Sequence, residues 1–167
     1  MASIKSHQRP WVISTWEEYS RSIIDIVTSR QKTKEIYVAT YSFYIRDFCA
    51  SSEKTYLDPS PETVMLSVIS GLGIPVNLMI GVPITDEIKV RIKDLISEFP
   101  NIKVKSIDEF HAKAWYFERS HPIAIVGSRN FSVSSWTNFD IEVSGSCAKF
   151  IGKKLKSLWN GPGCYVK

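Results

Sequence analysis

His111 and Lys113 stand one residue apart, and the run Ala114-Trp115-Tyr116-Phe117 behind them is rich in strand formers. Alternate residues of a strand share a face, so imidazole and ammonium would project from one surface. A second apolar run, Ile123-Ala124-Ile125-Val126, ends at Gly127-Ser128-Arg129-Asn130, where a turn can aim a hydroxyl, a guanidinium and an amide at one ligand. A third run, Phe139-Asp140-Ile141-Glu142-Val143, alternates and carries Glu142 on its polar face. Metal-free phosphodiester hydrolysis needs a nucleophile, an acid for the leaving oxygen and positive charge for the equatorial oxygens. Two copies of this set of side chains would supply all three. Taken alone, an H-x-K pair is also common on exposed strands, and Arg129 fits either a phosphate contact or a solvent-facing residue.

Read in order, these residues resemble the signature of the phospholipase D superfamily: H-x-K, four residues, Asp, a spacer, then Gly-Ser-x-x-Asn or a close variant. Here it runs His111-Ala112-Lys113, four residues, Glu118, eight residues, Gly127-Ser128-Arg129-Asn130-Phe131-Ser132. The Gly-Ser-x-Asn-Phe variant with a downstream Glu is most similar to the short bacterial nucleases of that superfamily. Tyr41-Ser42-Phe43 and Leu158-Trp159-Asn160 are similar to the same branch, so the resemblance spans residues 35–160. Two features depart from the pattern. Glu118 replaces the usual Asp, where a structural acid is expected, and the long spacer containing Arg119-Ser120-His121-Pro122 predicts an extended hairpin.

The resemblance implies roles. His111 of one subunit attacks phosphorus and forms a phosphohistidine, while His111 of a second protonates the leaving group and then activates water. Lys113, Ser128 and Asn130 hold the non-bridging oxygens. Glu142 accepts a hydrogen bond from the far ring nitrogen and fixes its tautomer. Long members of the superfamily carry two motif copies, and this chain has one: His7 lies in H-x-R and His121 precedes a proline. A homodimer with a shared site on its twofold axis is therefore implied. No cofactor is expected, nor a metal, because three histidines and three cysteines show no ligand spacing. Alternative readings are a phospholipid phosphodiesterase and a dimeric nucleic-acid-binding module without turnover.

Composition narrows the substrate. From Ser146 onward the chain holds Lys149, Lys153, Lys154, Lys156 and Lys167 and no acid, a basic face suited to polyanions or simply a solvated one. There is no run of eighteen apolar residues and no N-terminal apolar segment, so no membrane role is expected and the cytoplasm is the predicted compartment. Cys49, Cys147 and Cys164 form no framework, which agrees with a reducing environment. Nucleic acid, DNA foremost, is the expected partner.

The elements needed to position these groups are legible. At 167 residues a single domain is expected, with an N-terminal arm over about 1–14. Thr15-Trp16-Glu17-Glu18 is a capping-box pattern that opens a helix over about 16–30. Residues 35–43 read as a buried strand ending at Tyr41-Ser42-Phe43. Tyr41, Phe43 and Tyr44 suit either base stacking or the core. Arg46 and Lys54, in the polar stretch that follows, suit either substrate contacts or a surface loop, and Ser42 is a further candidate contact. Ser60-Pro61 begins a second helix that ends at Gly71 and Gly73, residues 75–82 form another buried strand, and a third helix runs from Thr85 to Pro100. Residues 101–107 alternate like a half-exposed or edge strand, and a final helix covers about 147–159. Strand–helix alternation followed by consecutive strands predicts a mixed α/β sheet with helices on both faces.

Overall fold

The computed structural model describes residues 11–13, 15–44, 60–108, 110–128, 131–132 and 139–166. Its order is β1 (Trp11–Ile13), α1 (Trp16–Thr28), β2 (Glu35–Thr40), β3 (Phe43–Tyr44), α2 (Pro61–Gly71), β4 (Val76–Ile80), α3 (Asp86–Glu98), β5 (Ile102–Ser106), β6 (Ala114–Glu118), β7 (Ile123–Gly127), β8 (Phe131–Ser132), β9 (Asp140–Ser144), α4 (Gly145–Asn160) and β10 (Cys164–Val166). Eight strands form one mixed sheet in the order β1-β9-β7-β6-β2-β4-β5-β10, while β3 and β8 pair separately. Strands β2, β4 and β5 are parallel, and β6, β7 and β9 are antiparallel neighbours on the other side of β2.

Local chemistry starts the helices where expected. Thr15 Oγ1 accepts from Glu18 N at 3.1 Å and Glu18 Oε2 accepts from Thr15 N at 3.1 Å, a closed capping box. Ser60 and Thr85 cap α2 and α3 in the same side-chain manner. Burial then sorts the helices by face. Ile23 and Val27 of α1, Met65 and Ile69 of α2, and Ile92 and Leu95 of α3 pack with Ile36, Val38, Leu78, Trp115 and Phe117 on one side of the sheet. On the other side α4 sets Ala148, Leu155 and Trp159 against Tyr37, Ala39, Met79, Tyr116 and Ala124. Helices do cover both faces, as the strand–helix pattern requires.

Polar groups pin α4 in place. Lys156 Nζ meets Glu118 Oε2 at 2.6 Å, so this acid is a strut between β6 and α4. Beneath it Tyr37 donates to Glu35 Oε2 at 2.8 Å, and burial, reinforced by that carboxylate, pushes the phenol far up so that it stays neutral. Lys105 is buried and its Nζ donates to Trp159 O and Gly161 O at 2.7 and 2.5 Å, closing the carbonyl end of α4. The expected long hairpin is present and docked. Arg119 Nη1 donates to Ile26 O at 2.9 Å, while its Nε and Nη2 reach Gln31 Oε1, locking residues 119–122 to the end of α1.

Several boundaries differ from expectation. Trp11–Ile13, within the anticipated arm, is an edge strand paired with β9. The strand expected over 35–43 breaks at Tyr41 and Ser42, where Thr40 Oγ1 donates to Ser42 O at 2.7 Å and draws the chain into a turn. Residues 102–106 are not an edge, because β10 pairs outside them and so buries Lys105. A three-residue strand has too few positions for a period to be read.

Candidate functional site

The register collects the site at one edge of the sheet. Strands β2, β4 and β5 end there, β6 and β9 begin there, and β7 arrives at Gly127 opposite Asp140. His111 and Lys113 form the extended lead into β6 rather than part of it, anchored where Gly127 N donates to Lys113 O at 3.2 Å. Ser128 is bound on both sides of its α-carbon: its N donates to Phe139 O at 3.1 Å and its Oγ accepts from Phe139 N at 3.0 Å. The hydroxyl is thereby held at the edge, one residue after the Gly127 that binds the Lys113 backbone.

His111 is exposed, and its ring lies on that of Tyr41, with centroids 3.8 Å apart and planes 18° from parallel. Lys113 Nζ sits 5.9 Å from the same phenol centroid. Tyr41 therefore serves neither the core nor an open stacking surface on the side His111 covers; it sets the plane of the imidazole. Its own backbone is fixed by Val82 N donating to Tyr41 O at 2.7 Å. Ser42 follows it and is half-buried. Arg46, Lys54, Arg129 and Asn130 lie outside the described residues, as does His7.

Two close backbone approaches make this geometry possible. A Cβ on Gly81 would fall 1.8 Å from Phe110 O, so the segment carrying His111 can lie against the end of β4 only over a glycine. A Cβ on Gly127 would fall 2.1 Å from Asp140 Oδ1, so the carboxylate of Asp140 occupies the space a side chain would need. Gly81→Ala must push Phe110 and with it His111. It is expected to cost about 1–3 kcal/mol of stability by overpacking and to lower turnover more than about tenfold through misplacement of the imidazole. Chemical denaturation and steady-state rates on one preparation check both, and unchanged turnover would mean the strand slides without disturbing the site.

Two acids of β9 stand near this edge, Asp140 and the expected Glu142. Glu142 sits opposite Ile125, two positions inside the sheet, and its Oε2 accepts from Ser22 of α1 at 3.0 Å. Burial pushes the Arg119 guanidinium below its ordinary value, and the charge of Glu142 opposes that shift, which again places this acid toward the docked hairpin. Among the described residues no hydrogen bond joins Glu142 to His111. Asp140, two residues earlier on the same face, is buried and packs over Gly127, with Lys113 on the opposite side of that glycine. The alternation in Phe139–Val143 marked both acids as same-face residues, and only the strand register separates them. Asp140→Asn is therefore expected to slow turnover by about 10²-fold or more, the size of a lost orienting carboxylate, while Glu142→Gln stays within about threefold of wild type. Equal losses in the two variants would reject this assignment.

Among the described residues no group of three His, Cys, Asp or Glu side chains is gathered as for a metal, and no helix is long and apolar enough to cross a membrane.

No family model matches the chain, and no curated protein matches it by sequence. Solved structures do. It superposes on NucT from Helicobacter pylori with a TM-score of 0.63 and 14% identity, over 90% of this chain and 94% of that one. Nuc from Salmonella typhimurium, a phospholipase D family member, gives 0.61 and 16% identity, over 94% of this chain and 98% of that one. Polyphosphate kinase from Porphyromonas gingivalis gives 0.68 and 13% identity, but this chain spans only 24% of its length. The chain thus has the phospholipase D-like fold that the resemblance of its motif implies.

Proposed function

We propose that this chain is a phosphodiesterase of the phospholipase D type that cleaves nucleic acid through a histidine nucleophile, at a site completed by a second copy of itself. One observation carries the proposal: in this fold, His111, Lys113, Ser128 and Asp140 meet at a single sheet edge, although the first two lead into β6, Ser128 follows β7 and Asp140 opens β9. The likeness to Nuc and NucT, which extends over nearly the whole of each of those chains, supports the nuclease reading.

In the proposed chemistry His111 of one subunit bonds to phosphorus as the bond to the leaving oxygen breaks, and His111 of the other gives that oxygen its proton. The second imidazole, now neutral, removes a proton from water, whose oxygen displaces the first imidazole from phosphorus. Lys113, Ser128 and Asn130 neutralise the non-bridging oxygens, a role in which fixed donors contribute more than mobile solvent. Tyr41 holds the imidazole plane, and Asp140 replaces Glu142 as the carboxylate that orients the ring.

Lysine and imidazole do here what a divalent cation does in other nucleases. Purified protein is expected to cleave single- or double-stranded DNA or RNA, and to hydrolyse bis(p-nitrophenyl) phosphate, at undiminished rates in EDTA. Activity abolished by EDTA and restored by magnesium would overturn the mechanism.

A further inference from the structure

We infer that the outward face of α4 is a second binding surface, separate from the cleavage site, that holds the phosphates of a nucleic acid strand. The inference rests on the proposed function only for naming the polyanion.

The four helices differ in charge pattern. Helix α1 carries Glu17, Glu18 and Asp25 with Arg21, and α2 carries only Glu62. In α3 both signs alternate and pair internally, with Lys89 Nζ at 3.0 Å from Asp86 and Arg91 bridged to Glu87. That is how this protein builds an ordinary solvated helix. Helix α4 carries Lys149, Lys153, Lys154 and Lys156 and no acid over its sixteen residues. Glu118 engages only Lys156; Lys149, Lys153 and Lys154 are exposed, and no acid among the described residues lies within ion-pairing distance of them.

Two details go against a merely solvated face. Lys149 and Lys153 are four residues apart, a like-charge pair that costs a helix about 0.2–0.5 kcal/mol, so helix stability alone would favour an acid at one of them. Phe150 lies between them, 64% exposed, with Lys154 Nζ 5.6 Å from its ring centroid. An exposed aromatic flanked by lysines that no acid among the described residues pairs offers both a stacking surface and a counterion for a strand of nucleic acid. Direction also fits. β9 starts at the site edge beside Gly127, α4 runs back from its far end, and β10 after it pairs at Ser106 on the site edge again. A strand laid along α4 is therefore led toward His111 from outside the site.

Binding of a fluorescein-labelled thirty-nucleotide single strand is measured by anisotropy between about 50 and 300 mM NaCl in EDTA, in a His111→Asn background that leaves the polymer intact. Each phosphate neutralised contributes about 0.7 to the slope of log K against log salt for single strands. The triple variant Lys149→Gln/Lys153→Gln/Lys154→Gln should flatten that slope by about two and weaken binding at low salt more than about tenfold. A control with the same charge change, Lys32→Gln/Lys89→Gln/Lys93→Gln, should alter it by less than about 0.5. An unchanged slope, or equal effects in both triples, overturns the inference. So does an α4 triple that keeps its slope for the oligonucleotide but loses sedimentation with phosphatidylserine vesicles, which would assign the face to an anionic membrane. Hydrolysis of bis(p-nitrophenyl) phosphate by the otherwise wild-type α4 triple should be unaffected. If the wild-type chain shows no hydrolysis while the α4-dependent slope persists, the catalytic proposal fails and the surface stands.

Discussion

Replacing His111 by Asn is expected to lower phosphodiester hydrolysis by about four orders of magnitude or more, the scale seen when a covalent nucleophile is removed. Asn keeps a similar size and one hydrogen-bonding edge, and His111 is exposed and held by stacking on Tyr41, so the variant should fold normally. The loss should fall on the rate of chemistry, with affinity for intact polymer retained. Rapid acid-free quenching with a radioactive substrate should trap label on the wild-type protein as an alkali-stable, acid-labile adduct at His111, and none on the variant. The pH profile of the wild-type rate should be bell-shaped, because one imidazole must be neutral while its twin is protonated; its two limbs belong to the pair and not to either chain. A variant that keeps a tenth of the wild-type rate, or an adduct on another residue, would remove His111 from the role of nucleophile.

The parts of this site that were legible in the sequence share a physical cause, and so do the parts that were not. His111, Lys113 and Ser128 lie beside apolar runs long enough to be read as strands, so their position follows from local pattern. The three capped helices are equally local, since Thr15, Ser60 and Thr85 satisfy backbone N–H groups three residues away. Choosing between Asp140 and Glu142 is different: both lie on one face of β9, and only pairing with β7 decides which reaches Gly127. Tyr41 could not be assigned for the same reason, because its partner is seventy residues away in the chain and meets it through the register of β2 against β6. The ion pair of Glu118 with Lys156 has no local pattern either, since only tertiary packing lays α4 over β6. Strands of three residues at each edge carry too short a pattern to be seen, yet β10 decides that Lys105 is buried.

A dimer in which one chain has lost His111 is expected to be inactive, although the other chain is intact. The proposed chemistry calls for two imidazoles in opposite protonation states, and each chain would supply one, because His121 is bound at the hairpin with Gln31 and His7 lies in an H-x-R pair far from the motif in sequence. The site edge also presents Phe139 with 64% of its surface exposed, which is compatible with a second copy approaching there. When wild-type and His111→Asn chains are co-expressed in equal amounts and pair at random, about a quarter of the dimers hold both histidines. Activity per total protein should fall to about that quarter, whereas independent sites would leave about a half. Different affinity tags on the two chains allow the mixed dimer to be isolated and assayed alone, which turns a twofold difference into one between activity and none. Lys113→Met supplies the complementary arm: if each phosphate is held from both subunits, a mixed dimer carrying this substitution on one chain should lose much of its rate while retaining both histidines. Half-maximal activity in the isolated His111 mixed dimer, or a fully active monomer in sedimentation, would return the whole reaction to a single chain and require a second acid from within it.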